Sequence, residues 1–217
     1  MDEFRIELLD QYWILGSRDP DGDPEDLTSH GKIALIINGQ DISGCDHLDT
    51  DYGLNQSAVR LLQSIFLDQS SSVEHMNPIF YHGCSIICTC PNCVIDFRVQ
   101  HLDQRVVLDQ FFVSGGSESE PADRYKDIEV QLNNVQYAKT IADFSREVLD
   151  FLSPNKSISK SDSLDETAYL LWELKNYYLL RSELGTLLIF AKEYISTGIL
   201  TDRMISHAEN VNVSALG

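Results

Sequence analysis

Residues 164–196 constrain this chain most. They read as helix and are apolar nearly all the way round, with Leu170, Leu171, Trp172, Leu174, Tyr177, Tyr178, Leu179 and Leu180 leaving no clean polar face. Such a helix must be covered on more than one side, so it docks on the rest of the molecule or on a second copy of itself. Ser163 and Glu166, at capping-box spacing, open it. Gly185 is expected to break it into two helices, and Thr201 to start a last short one.

The preceding sequence reads mainly as strands. Residues 4–9 and 12–15 suit short strands, residues 17–29 a turn-rich acidic loop, and residues 32–43 a hairpin. Asn38-Gly39 supplies the two positive-φ residues of a type I′ turn there. Ala58, Leu61, Leu62, Ile65 and Phe66 recur at helical spacing and mark one buried face of a helix over 55–68. Three strand-like runs follow, 78–90, 93–101 and 105–113, with turns at Pro91-Asn92 and Leu102-Asp103-Gln104, as in a meander. An exposed loop over 114–121, one more strand over 127–132 and a helix over 134–152 complete this part. The expectation is an α+β fold, an antiparallel β-meander sheet with packed helices and a helical C-terminal part. Residues 1–152 form the α+β domain, 153–162 a linker, and 163–217 a helical segment packed on the body or on a second copy.

Charge narrows the function classes. The 217 residues include 34 acidic against 16 basic ones, a net charge of −18 that repels nucleic acid and anionic membrane surfaces. Residues 1–50 hold twelve acids and three bases, net −9, which is half of the total. Such a field steers association with a basic partner, although it also serves plain solubility. There is no run of about 18 apolar residues to span a bilayer and no secretory signal, so the expected compartment is the cytoplasm, with reduced thiols.

Four of the five cysteines fall between Cys84 and Cys93. Cys90 and Cys93 have the C-x2-C spacing that lets two thiolates bind one metal, and Cys84, Cys88 or His82 would complete a zinc tetrahedron. No second C-x2-C or His pair occurs elsewhere to supply the other ligands of a closed site. A hairpin centred on Pro91-Asn92 accounts for the same residues without metal. It puts Cys84, Ile86, Cys88 and Cys90 on one face beside Cys93, Ile95, Phe97 and Val99, and sends Asp96, Arg98 and Gln100 to the other. Core packing is the leading reading, with zinc and Cys90–Cys93 redox chemistry as alternatives.

The acidic run Asp19, Asp21, Asp23, Glu25 and Asp26 has oxygen ligands at alternate positions, but Pro24 stands where a calcium loop needs glycine and His30 where it needs glutamate. A partner-facing loop fits it better. Nucleophile-elbow and phosphate-loop motifs are missing, so the chain is not expected to be an enzyme. His30, His47, His75, His82, His101 and His207 stand beside turns or polar stretches and read as surface or hydrogen-bonding residues. Trp13, Trp172, Tyr12, Tyr169, Tyr177 and Tyr178 suit the core or a contact patch.

Taken together, the Trp-containing N-terminal segment, the acidic loop, the Asn-Gly hairpin, His82-Gly83-Cys84, Cys90-Pro91-Asn92 and Val94-Ile95-Asp96-Phe97-Arg98-Val99 resemble small acidic bacterial proteins of the toxin-immunity type. The resemblance covers about residues 12–150. It implies a binding protein without cofactor that neutralises a toxin by occlusion, through an acidic surface including Asp19, Asp21, Asp23, Glu25 and Asp26. Two alternatives stand beside it: a zinc-binding regulator or enzyme using His82, Cys84, Cys88, Cys90 and Cys93, and a structural homodimer through the C-terminal helices.

Overall fold

A computed structural model describes residues 3–15, 24–43, 52–70, 78–81, 94–114, 123–125, 127–152 and 164–212. It has the expected α+β architecture, with antiparallel strands in two sheets, four helices among the described residues and a helical C-terminal part.

The first sheet is built on a long hairpin of β1 (Phe4–Leu15) and β2 (Pro24–Ile37), paired from Phe4↔Ile37 to Leu15↔Pro24. β1 is one strand rather than two, because a bulge between the Leu8 and Asp10 pairings absorbs the irregularity. β2 begins at Pro24, so residues 24–29, expected as loop, are strand. Pairing with β1 at Pro24 and Ser29, on either side of a register shift, holds this stretch despite the turn propensity of its composition. Asn38 (φ 49) and Gly39 (φ 80) then turn the chain as a type I′ loop requires, into β3 (Gln40–Asp41). β4 (Tyr52–Gly53) pairs with β2 at Gly31 and His30, and leads directly into α1 (Leu54–Gln63).

The second sheet has the order β5 (Phe80–Tyr81), β6 (Val94–Leu102), β7 (Arg105–Ser114), β8 (Asp123–Tyr125), with β9 (Val130–Asn133) also on β7. Asp103 (φ 54) carries the expected tight turn, and Gln110 (φ 54) lies at an irregularity between the Asp96↔Phe112 and Arg98↔Asp109 pairings. Ile95, Phe97 and Val99 are buried, as the alternation requires. The hairpin centred on Pro91-Asn92 is overturned. Phe80 and Tyr81 pair with Ile95 and Val94, so Ile95 is not opposite Cys88 as that hairpin requires; Pro91 and Asn92 themselves lie outside the described residues. Asp96, expected toward solvent, is buried instead, because its Oδ1 accepts from the Ile79 amide at 3.3 Å and its charge faces Arg60.

α2 (Asn134–Phe151) is capped by Asn133, whose side chain accepts from the Val135 amide at 2.9 Å. α3 (Leu164–Thr197) runs unbroken through Gly185, contrary to the expected break. A glycine inside a helix costs about 1 kcal/mol against alanine. A Cβ at Gly185 would meet nothing within 4 Å, so no described neighbour demands it. One face of α3 docks on the body through Tyr177, Leu180, Leu184, Leu187, Ala191 and Tyr194, at alternating spacings of three and four. α4 (Asp202–Asn210), capped by Thr201, is held to α1 by Gln63, whose Nε2 donates to the Ala208 and Val211 carbonyls at 2.8 Å each. One hydrophobic cluster joins both sheets and all four helices. Phe4 meets Phe97 and Tyr137 at 5.9 and 5.8 Å, while Phe80 meets Tyr52 and Phe144 at 5.8 and 6.0 Å.

Gly31 sits where β1, β2, β4 and α1 converge. A Cβ there would strike the Asp10 carbonyl oxygen and, at 2.6 Å, the Leu54 Cδ1. Because the first obstacle is paired backbone, Gly31→Ala is expected to cost about 1–3 kcal/mol by overpacking, measured by denaturant unfolding. Gly39→Ala, in open space but at positive φ, is expected to cost about 1 kcal/mol. Equal costs would contradict the close-approach argument.

Candidate functional site

Asp19, Asp21 and Asp23 lie outside the described residues, as do His82, Cys84, Cys88, Cys90 and Cys93. Glu25 and Asp26 lie in β2, but their side chains are outside the description. Among the described residues no group of three or more His, Cys, Asp or Glu is placed to hold a metal. The segments that contain these candidates are nevertheless anchored by described pairs: residues 16–23 join Leu15 to Pro24, and residues 82–93 join Tyr81 to Val94.

Two polar constellations invite a catalytic reading, and each is used structurally. In the first, Asn55 Oδ1 at the start of α1 accepts from both the Ser29 amide, at 2.8 Å, and the Ser29 hydroxyl. Ser29 Oγ in turn accepts from Gln11 Nε2 at 2.8 Å. Ser29 and His30 are adjacent on a strand and so point to opposite faces, with His30 stacked on Tyr12 at 6.4 Å rather than set as a base for Ser29. His30 is fully buried, which corrects its expected place beside a turn. In the second, His101 Nδ1 lies 2.9 Å from Asp68 Oδ1 and Nε2 lies 3.1 Å from the Ile65 carbonyl oxygen. Both ring nitrogens are taken, so the pair clamps the turn after α1 onto β6. Burial alone would raise the Asp68 pKa, but the His101 amide and ring hold it below the usual carboxylate range.

A third arrangement has the character of a surface. The end of the β1–β2 hairpin nearer its connection, residues 11–13 of β1, packs against the end of α2 and the middle of α3. Trp13 meets Phe151 at 5.3 Å and Tyr177 at 6.1 Å, and Gln11 Nε2 reaches the Val148 carbonyl at 3.5 Å. Trp13 is two residues from Leu15, so the last residue of β1 is about 7 Å along the strand from this aromatic contact. At the same end, α2 exposes Glu147 and Asp150 near its C-terminus and has no base in its last turn. Carboxylates there oppose the helix dipole, at about 0.3–1 kcal/mol each when exposed. One cation comes from α3: Arg181 Nε donates to the Leu152 carbonyl at 3.1 Å. Sequence reasoning missed Glu147 and Asp150; the readable signal was acid in a helix's last turn, where bases belong.

The aromatic residues divide between the two expected roles. Tyr177 is buried, while Trp172 (41%) and Tyr178 (38%) are exposed on the outer side of α3. Comparison of the chain with protein-family models, with curated proteins and with solved structures finds no match.

Burial raises the phenol pKa of three tyrosines at these junctions. Tyr177 is pushed up to about 12 by desolvation, against the lowering pull of Arg181. Tyr137 is raised by burial against the Ser64 hydrogen bond, and Tyr81 by burial against Arg60. Each therefore contributes stability that is complete below an unfolded-state pKa of about 10 and is lost as pH rises from there through its folded value. Urea unfolding at pH 7, 10 and 11 is expected to show stability falling above pH 10. Tyr177→Phe should make that fall shallower by up to about 1.4 kcal/mol per pH unit; an unchanged slope would contradict the assignment.

Proposed function

We propose that the protein acts by binding a basic protein partner at the end of the β1–β2 hairpin nearer its connection, in the manner that the toxin-immunity resemblance implies. The observation that carries this reading is the packing of Trp13, near the end of β1, on Phe151 at the end of α2. Two negative features flank that contact along the chain: one is the run Asp19, Asp21 and Asp23 between the paired Leu15 and Pro24, followed by Glu25 and Asp26 in β2. The other is the end of α2, where Glu147 and Asp150 stand against the helix dipole. A cationic surface docked there relieves both repulsions at once and gains apolar contact beside Trp13 and Phe151. Occlusion of the partner's own site then needs no chemistry from this chain.

The products of genes adjacent to its own are the partners to test, by co-expression growth rescue and by calorimetry at low and high salt. A neighbour that is toxic alone and rescued by this chain supports the reading. Glu147→Lys with Asp150→Lys is expected to weaken binding about tenfold or more, mostly through the association rate. Binding indifferent to these charges and to salt, or no binding by any neighbour, counts against it.

A second reading concerns zinc and rests on the register of β5 and β6. With Tyr81 paired to Val94, residues 82–93, which include His82 and the four thiols of Cys84, Cys88, Cys90 and Cys93, join two neighbouring strand residues, and Ile95 is opposite Phe80 rather than Cys88. Protein purified without added metal is expected to carry about one zinc per chain, lost in Cys90→Ser with Cys93→Ser. Metal content near zero in fully reduced protein would reject it.

A further inference from the structure

We infer that the outer face of α3 is a self-recognition surface on which a second copy of this chain docks antiparallel, about a two-fold axis level with Leu184. Nine large hydrophobic side chains are exposed among the described residues; five of them are on α3 and two more, Ile199 and Leu200, follow directly after it, so the exposed apolar surface is concentrated on this part of the chain. Leu171 (55%), Leu179 (42%) and Ile189 (67%) lie opposite the seam by which α3 docks on the body.

The outer face is itself a seam. Lys175, Leu179, Ser182, Thr186, Ile189 and Glu193 follow one another at spacings of four, three, four, three and four, the repeat that keeps one stripe facing a partner helix. Its chemistry is palindromic about residue 184. Ser182 mirrors Thr186, Leu179 mirrors Ile189, and Lys175 mirrors Glu193. An isologous interface requires that property, because each residue meets its mirror position on the other copy and every contact occurs twice. Antiparallel pairing sets small hydroxyl residues against each other at the axis, Leu179 against Ile189 on either side, and Lys175 against Glu193 at the ends. A parallel pair would set lysine against lysine and glutamate against glutamate.

Gly185 adds an independent observation. Its Cβ position faces open space within the chain, yet the residue lies beside the axis, where an absent side chain lets two helices approach toward the short end of the usual 8–10 Å interaxial range. The exposed Ile199 and Leu200, just beyond α3, fall at the level of the partner's first described turns and extend the contact. Charge permits the approach: α3 holds five acids and three bases, whereas the whole chain holds 34 and 16.

Light scattering and sedimentation equilibrium on the full chain test the inference. The expected mass is twice 24.5 kDa; a monomer at about 100 μM, well above the affinities of specific dimers, overturns it. Ile189→Glu, at an exposed position, should raise the dissociation constant at least about tenfold while circular dichroism stays unchanged. A dimer unaffected by it places the contact elsewhere and overturns the surface. Lys175→Glu alone and Glu193→Lys alone should each weaken the dimer about threefold, and the double exchange should restore it. Failure of the double exchange to restore association overturns the antiparallel register, and does so even if Ile189→Glu were to misfold.

Discussion

The approach of two backbones at Gly31 is the constraint on which the rest of the structure depends. The Asp10 carbonyl of β1 and the Leu54 side chain of α1 both enter the space where any other residue would carry Cβ. That approach goes with three things together: the bulge between the Leu8 and Asp10 pairings, the register of the β1–β2 hairpin, and the point where β4 turns into α1. Two residues away, Ser29 is bonded through its amide and hydroxyl to Asn55, so the start of α1 is held laterally as well. α1 then serves as the helix against which α2, α3 and α4 assemble, through Ser64 with Tyr137 and Gln63 with the α4 carbonyls. Long-range packing therefore rests on one local steric permission.

Much of this was legible where the signal is local. Asn38-Gly39 specifies its turn because only such residues accept two successive positive φ values, and the α2 and α4 boundaries follow from the caps Asn133 and Thr201. What was not legible depends on partners far along the chain. Residues 24–29 have loop composition, yet they lie in β2, tied to β1 at Pro24 and Ser29. Asp96 has the parity of a solvent residue, yet the Ile79 amide and Arg60 make burial tolerable. The register of β6 is decided by Phe80 and by Gln69, and no alternation pattern within 84–99 contains either residue. The cysteine segment and the acidic run, the two most chemical stretches of the sequence, were legible only as composition.

α3 shows why a helix apolar on every side is ambiguous in sequence. It contains two interleaved seams of three-and-four spacing, one through Tyr177, Leu184 and Ala191 and the other through Leu179, Thr186 and Ile189. Periodicity alone weighs them alike. The difference lies in their companions: the inner seam carries no charge, whereas Lys175 and Glu193 close the outer one. A seam ended by charge suits a contact formed after folding, since both faces of such a contact must first survive in water.

The two proposed surfaces are compatible because α3 separates them. Its inner seam holds the acidic hairpin end through Trp13 on Tyr177, while its outer seam is left for the second copy. Under these two proposals, pairing at α3 would join two partner-binding ends in one assembly. The electrostatic cost of bringing two copies of net charge −18 together is set by the charges nearest the axis, because exposed charges beyond about 8–10 Å are largely screened at physiological salt. On the outer seam the residues nearest the axis, Ser182 and Thr186, are uncharged, while Arg181 and Glu183, level with the axis, are engaged within the chain by the Leu152 carbonyl and His207. A partner with two basic patches would then bind with an effective concentration set by the spacing of the two hairpin ends, so weak steering at each end would add up to tight capture.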